Sequence, residues 1–386
     1  MEERENKREE TASDAELQRL VEDFITQKQV LLIQVKKGVL GKEEFLQEAG
    51  KHIDQYYHFP ATKRKRLLKS FEQYIFGYSR LSPLMDDKSI SDIRVVSHDC
   101  IRIKREGKRM DAGIKFASKA EYERYIEFIT NRNNTNVSIQ NAAQVFTDKD
   151  SSKTDILRFS LVSDLCNTNG RPTLLIRKIP KVKKTFETLI NQKFCTQEQA
   201  TYLKKRWEDG NGILICGPNG SGKTTLANAL LESTPKDKSA DIIQESEELF
   251  CESHPEMIFR KVIPARNGSA IAYSLKDLAR LALMESFDII VVGEIKGDEA
   301  AELSYATYTG SQAMTTVHSN SAEEGYEKLI DYGLDAQPNR TREHFAKQLK
   351  ALNTVVFVKD YKIKQILEED GFDKVNGNYI FKEVQV

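Results

Sequence analysis

Three glycines, a lysine and adjacent hydroxyls fall close together in Gly217-Pro218-Asn219-Gly220-Ser221-Gly222-Lys223-Thr224-Thr225, a spacing suited to holding phosphate. Gly217, Gly220 and Gly222 allow backbone conformations in which a Cβ would clash, so successive N–H groups are able to face one anion. Lys223 is the residue to reach β- and γ-phosphates as a point charge, and the Thr224 hydroxyl is the natural Mg²⁺ ligand. The apolar run Gly212-Ile213-Leu214-Ile215-Cys216 precedes the loop, and Thr225-Leu226-Ala227-Asn228-Ala229-Leu230 follows at helical spacing. Strand, loop and helix is the context a P-loop requires, with the positive end of the helix dipole aimed at the phosphates. ATP with Mg²⁺ is the expected ligand pair, and Pro218, Asn219, Ser221 and Thr225 are counted with the glycines in the binding loop.

Two later strands end in groups that suit the same chemistry. Asp288-Ile289-Ile290-Val291-Val292-Gly293-Glu294 is an aliphatic run closed by an acid, the pattern of a strand buried on both faces whose carboxyl end borders a ligand site. Glu294 is expected at the Mg²⁺ ion or its water. Gln312-Ala313-Met314-Thr315-Thr316-Val317-His318-Ser319-Asn320-Ser321 is a second such strand, and its position suggests γ-phosphate sensing by His318. Upstream, Leu157-Arg158-Phe159-Ser160 and Leu174-Leu175-Ile176-Arg177-Lys178-Ile179-Pro180 alternate arginines with apolar residues. Such arginines face water or, ahead of a P-loop domain, reach phosphates across a domain boundary.

The elements that position these residues are read from the whole chain. Its 386 residues, 30% of them charged with a formal net charge of +0, suit two or three soluble domains and argue against nonspecific binding of nucleic acid. Cys100, Cys166, Cys195, Cys216 and Cys251 form no CxxC pair and read as reduced intracellular thiols. The charged start Met1-Glu2-Glu3-Arg4 excludes an ordinary signal peptide, and no stretch approaches the ~20 apolar residues that cross a bilayer.

Residues 1–79 read as helical, with Leu17, Leu20, Val21 and Phe24 at three- and four-residue spacing; Lys63-Arg64-Lys65-Arg66 interrupts the apolar spacing and reads as a solvated helix face rather than a contact for acidic lipid or nucleic acid. Residues 80–180 read as a small α+β domain. It holds alternating strands at Ile90–Val96 and Ile101–Lys104 and a helix over Tyr122–Ile129. Residues 181–386 are the P-loop domain, in which Ala240–Leu249 is a strand running into carboxylates. Ser274 with Asp277 caps a helix there, and an Asn376-Gly377 turn leads to a terminal hairpin strand at Tyr379-Ile380-Phe381.

In order, the P-loop, the acidic stretch from Ile243 to Leu249, Gly293-Glu294-Ile295-Lys296-Gly297 and Thr315-Thr316-Val317-His318-Ser319-Asn320-Ser321-Ala322 resemble the Walker A, Asp-box, Walker B and His-box motifs of the type II and type IV secretion and pilus ATPases. Gly77-Tyr78-Ser79-Arg80-Leu81-Ser82-Pro83-Leu84 with Ile90-Ser91-Asp92-Ile93 looks like the tight-adherence (Flp) pilus branch, so the resemblance covers roughly residues 60–358. It implies a RecA-like α/β ATPase domain preceded by a smaller α+β domain. It further implies a hexameric ring with ATP between the domains, in the cytoplasm, docked on an inner-membrane platform protein.

Carried over by position, Lys223 and Thr224 hold phosphate and Mg²⁺, Glu248 orients the attacking water, Glu294 is the Walker B acid, His318 the His-box histidine, and Arg158 and Arg177 the phosphate-clamping arginines. Three positions depart from the family pattern. Gln244-Glu245 stands for a Glu-Asp pair, Lys296 for an arginine, and Leu283-Met284-Glu285-Ser286-Phe287-Asp288 for a segment with arginine and proline. Two other classes stay open at this point: a nucleic-acid motor, which neutral charge and one tryptophan, Trp207, argue against, and a nucleotide-regulated scaffold with low turnover.

Overall fold

A computed structural model describes the chain except residues 1, 37–38, 134, 136–140, 153, 252, 264–270 and 374–377. It divides into two compact units, Met1–Lys181 and Val182–Val386.

The first unit opens with helices α1 (Glu2–Lys36), α2 (Lys42–Tyr56) and α3 (Ala61–Ile75). Leu20, Val21 and Phe24 of α1 meet Phe45, Ala49 and Ile53 of α2 and Leu67 and Phe71 of α3 in one apolar cluster. The basic run Lys63–Arg66, where the apolar spacing lapses, lies inside α3 on its solvated side, as the sequence leads one to expect of a short charge run on a helix. Two of its charges are held in ion pairs, Lys63 Nζ to Glu16 Oε1 at 2.6 Å and Arg64 Nε to Asp54 Oδ1 at 2.5 Å.

At the centre of this helical cluster sits His52, 2% exposed, with neither ring nitrogen hydrogen-bonded. Phe24 meets it edge-on and Tyr56 tilts across it. Burial holds its pKa below the usual value, with the Asp23 carboxylate opposing and Lys28 adding to the shift. In a histidine whose folded pKa is depressed, the unfolded chain binds the proton more tightly, so stability falls as pH drops through about 6.5. Protection of the α2 amides, measured against their intrinsic exchange rate at each pH, is therefore expected to fall between pH 7.5 and 5, and His52→Phe to flatten that dependence.

After the short α4 (Ser82–Asp86) come β1 (Ile90–Ser97), β2 (Cys100–Arg105) and β3 (Lys108–Asp111), α5 (Lys119–Arg132), then β4 (Ala143–Asp148), β5 (Asp155–Val162) and β6 (Thr173–Pro180). The described strands form an antiparallel sheet in the order β3-β2-β1-β6-β5-β4. Leu157, Phe159 and Leu161 of β5 and Leu174 and Ile176 of β6 enter its core together with Tyr122, Tyr125, Ile126 and Ile129 of α5.

The second unit begins with α6 (Phe186–Asn191) and α7 (Gln197–Glu208), followed by β7 (Ile213–Cys216), α8 (Lys223–Glu232), β8 (Ala240–Gln244) and β9 (Met257–Lys261). Next are α9 (Leu275–Met284), β10 (Ile289–Val292), α10 (Glu299–Tyr308), β11 (Gln312–Val317), α11 (Ala322–Ala336), α12 (Arg342–Gln348), β12 (Thr354–Lys359), β13 (Lys362–Asp373) and β14 (Asn378–Glu383). Among the described residues these strands make one sheet ordered β14-β13-β12-β7-β11-β10-β8-β9, parallel from β12 to β9 and antiparallel across β12-β13-β14.

Successive residues of a strand point to opposite faces, so the uninterrupted aliphatic runs are buried twice over. Leu214, Cys216, Ile290 and Val292 pack with α9, α10 and α11 on one face, while Ile213, Ile215, Ile289 and Val291 pack with α7 and α8 on the other. The Ser274–Asp277 capping box opens α9. The Asn376-Gly377 turn lies outside the described residues, and β13 and β14 pair on either side of it.

Edge strand β9 has no aliphatic run to announce it. It is held by a buried charge pair: Arg260 Nε lies 2.9 Å from Asp241 Oδ2, and Asp241 is 0% exposed.

Candidate nucleotide site

The parallel register brings the carboxyl ends of four strands to one edge. Cys216 is level with Val317, Val292 with Thr315, and Val292 with Ile243. The residues that follow those strand ends, Gly217, His318, Gly293-Glu294 and Gln244 onward, therefore gather at one place, although up to a hundred positions separate them in the chain.

Between β7 and α8 the glycine-rich loop turns tightly. Gly217 has φ +149° and Gly222 φ +109°, where residues with a side chain are strained. Space is equally restrictive, since a Cβ on Gly217 would lie 2.0 Å from the Val358 carbonyl oxygen and one on Gly222 2.6 Å from the Phe194 ring. Ser221 Oγ, on a residue 4% exposed, has no hydrogen-bond partner. An orphaned buried hydroxyl beside a glycine cradle and the open amino end of α8 fits a phosphate, whose oxygens would accept from it. Thr224 in the first turn of α8 and the Glu294 carboxylate are oxygen donors of the kind that hold Mg²⁺.

Lys223, 7% exposed, is folded back on its own loop. Its ammonium donates to the carbonyls of Gly217 at 2.8 Å and Pro218 at 3.0 Å and meets His318 Nδ1 at 2.9 Å. Burial pushes its pKa down to about 8, with the Glu294 carboxylate opposing. Because the ammonium donates to Nδ1, the neutral His318 ring carries its proton on Nε2, 2.5 Å from Glu294 Oε1. Burial and the Lys223 charge both hold His318 below its usual pKa, and Glu294 works against them. On the far side Glu294 Oε2 pairs with Lys296 Nζ at 3.0 Å, which also reaches Glu245 Oε2 at 2.8 Å. Lys223, the neutral His318 ring, Glu294, Lys296 and Glu245 thus form one line of contacts along the sheet edge, in which ammonium and carboxylate groups alternate.

The acidic stretch is fastened by two amides that the sequence reading had not singled out as site residues. Gln244 Oε1 accepts from the N–H groups of Glu248 at 2.9 Å and Leu249 at 2.8 Å, while its Nε2 donates to the Leu249 carbonyl at 3.1 Å. Asn228, on α8 and 4% exposed, donates to the carbonyls of Thr224 at 2.9 Å and Glu248 at 3.0 Å and accepts from Phe250 N–H at 2.9 Å. Glu248 is thereby tied to the helix that Lys223 and Thr224 open. The departure at Gln244 has a physical role, because a glutamate would lose the donor to Leu249. Gln244 is marked in the sequence by its departure from the family's Glu-Asp pair, whereas Asn228 is marked only as a polar residue where helical periodicity calls for an apolar one.

Replacing Gln244 by Leu is expected to destabilise the second unit by about 2 kcal/mol, since it strands the N–H and carbonyl of buried Leu249, while the half-buried Glu248 N–H keeps the Ser246 carbonyl at 2.7 Å. Trp207, the one tryptophan and 1% exposed in this unit, reports urea unfolding by its fluorescence.

Arg158 and Arg177 belong to the first unit. They stand opposite each other on β5 and β6, off the core face, and Arg177 Nε lies 3.0 Å from Asp92 Oδ1. Within that unit the geometry pairs them with each other.

Comparison with known proteins adds the family. The family described as Type II/IV secretion system protein matches residues 79–361. An uncharacterized protein of Methanocaldococcus jannaschii, MJ0900, is 27% identical over 298 residues, 75% of this chain and 52% of its own length. Type II secretion system protein E of Pseudomonas aeruginosa is 33% identical over 124 residues, 32% of this chain and 23% of its own. The chain spans about half the length, or less, of these relatives. Among solved structures, the Legionella pneumophila ATPase DotB superposes with a TM-score of 0.54 at 15% identity, covering 79% of this chain and 78% of that one, a likeness of fold. With the family matching most of the chain, and with a P-loop, two acidic strand ends and a histidine meeting on one edge of a RecA-like sheet, this protein belongs to the type II/IV secretion system ATPase family.

Proposed function

We propose that the second unit binds ATP with Mg²⁺ and hydrolyses it to drive a membrane secretion or pilus-assembly machine, as a homo-oligomer of the hexameric kind. The observation that carries this reading is the meeting of Lys223, His318 and Glu294 at 2.9 Å and 2.5 Å beside a glycine cradle with an orphaned hydroxyl. The chemistry Mg²⁺ would supply there is neutralisation of the charge that develops on the phosphate oxygens. Backbone N–H groups of Gly217–Gly222 and the Ser221 hydroxyl bind the phosphates, and Thr224 and Glu294 hold the metal.

Lys223 exchanges two carbonyls and His318 for anionic oxygens. His318 then loses the cation that suppressed its protonation, which makes it a reporter of whether the γ-phosphate is present. Glu248, steadied by Asn228 and Gln244, orients the attacking water. Arg158 and Arg177 supply guanidinium groups to phosphate, a role supported by their side-by-side placement. Among the described residues no helix is long and apolar enough to cross a membrane, so force would pass to the bilayer through a platform protein at its cytoplasmic face. The tight-adherence pilus is the system the N-terminal motif favours.

Phosphate release measured with and without single-stranded DNA tests the reading, alongside sedimentation in Mg·ATP. Turnover indifferent to DNA in a ring-sized species is the expected result. Turnover that requires DNA would replace this reading with a nucleic-acid motor, and binding without turnover would replace it with a regulated scaffold.

A further inference from the structure

The segment that opens the second unit is fastened on both flanks of the nucleotide loop. Lys184 Nζ donates to the Tyr361 hydroxyl and to Gln192 Oε1, each at 2.7 Å, and the Tyr361 ring packs where a side chain on Gly222 would be. Lys183 goes the other way: its ammonium stands 4.5 Å from the centre of the Phe250 ring, a cation–π contact, within Coulombic reach of Glu248. Phe250 is the residue whose N–H is accepted by Asn228, and Asn228 also holds the carbonyls of Glu248 and Thr224. A continuous path of contacts therefore runs from Lys183 through Phe250 and Asn228 to the first turn of α8. Lys183 is also the second residue after the division between the units, so it belongs to the covalent connection between them.

We propose that Lys183 is a positioning residue for the phosphate chemistry: through the Phe250 ring and the Glu248 carboxylate it holds the 246–250 loop against α8, so that Glu248 is set for water only while the connecting segment is seated. The inference rests on the hydrolytic role proposed for Glu248. Burial pushes the Lys183 pKa down to about 8, with Glu248 opposing, which places the cation in a poorly hydrated setting where its two partners count for most. The ammonium contacts the Phe250 ring, on the loop that bears Glu248. Its loss therefore affects how well Glu248 is placed more than how well nucleotide is held.

The test compares wild type, Lys183→Met, which keeps the stem without the charge, and Lys183→Arg, which keeps both charge and ring contact. Three quantities are measured in the full chain: affinity for ATP, turnover, and hydrogen exchange of the Glu248, Leu249 and Phe250 amides without nucleotide. The methionine variant is expected to turn over about tenfold more slowly at unchanged affinity and to exchange those amides several-fold faster, with arginine restoring both. Wild-type turnover in Lys183→Met, or parallel losses of affinity and turnover with unchanged exchange, would overturn the proposal. If wild type proves to have no turnover, the ATPase reading fails. The exchange of the three amides then decides the Lys183 contact alone, faster exchange supporting it and unchanged exchange removing it.

Discussion

Lys223→Ala is expected to weaken ATP binding about 10- to 100-fold and to bring phosphate release to background. In the free protein the ammonium is already satisfied by the Gly217 and Pro218 carbonyls and His318 Nδ1. Binding is favourable because it trades neutral acceptors for anionic ones, and a hydrogen bond to a charged group contributes about 1.5–3 kcal/mol. The loop that holds the phosphates is otherwise shaped by Gly217, Gly220 and Gly222, whose conformations the alanine does not touch. The unfolding free energy reported by Trp207 fluorescence should accordingly change by less than about 1 kcal/mol, which distinguishes lost binding from lost folding. Isothermal titration with Mg·ATP is the deciding measurement, and an affinity equal to wild type would remove the phosphate role of Lys223.

Glu294→Gln is expected to leave ATP bound while slowing turnover by about 10²–10⁴-fold, the range lost when a carboxylate at a reacting centre is neutralised. The amide keeps the shape of the side chain but removes the charge that faces His318 on one side and Lys296 on the other. A second readout follows from the same geometry. Glu294 favours the protonated form of His318 against burial and Lys223, so its neutralisation moves the His318 titration further below the usual histidine range. Imidazole resonances followed by NMR against pH show that shift even where turnover is too slow to time. A variant with wild-type turnover, or with an unmoved His318, would contradict the arrangement.

Much of the second unit was legible because its signals are local. Ile289–Val292 and Ile213–Cys216 are aliphatic without interruption, which only a strand buried on both faces requires, and each ends where the ligand edge lies. The glycine spacing before Lys223 is a backbone requirement, and backbone requirements survive without any partner in view. Less was legible in the first unit. At Lys63–Arg66 four consecutive charges mask the helical stripe; the run is readable as a solvated helix face, but the partners of Lys63 and Arg64, Glu16 and Asp54, lie on other helices and leave no trace in the local pattern. Edge strand β9 carried no periodic signal because its neighbouring apolar residues Ile258 and Phe259 are both exposed, and the strand is secured instead by Arg260 and Asp241.

By itself the sequence determined the P-loop, the order of strand ends and the family to which they belong, since each depends on residues adjacent in the chain. The tertiary structure alone decided that Lys223 rests on His318, that Glu294 stands between a histidine and a lysine, and that Asn228 and Gln244 hold the loop bearing Glu248. Those are contacts between strand ends and a helix brought level by parallel pairing. A hydrogen bond across such a sheet edge leaves no periodicity in either partner, so it becomes visible only when the strands are in register.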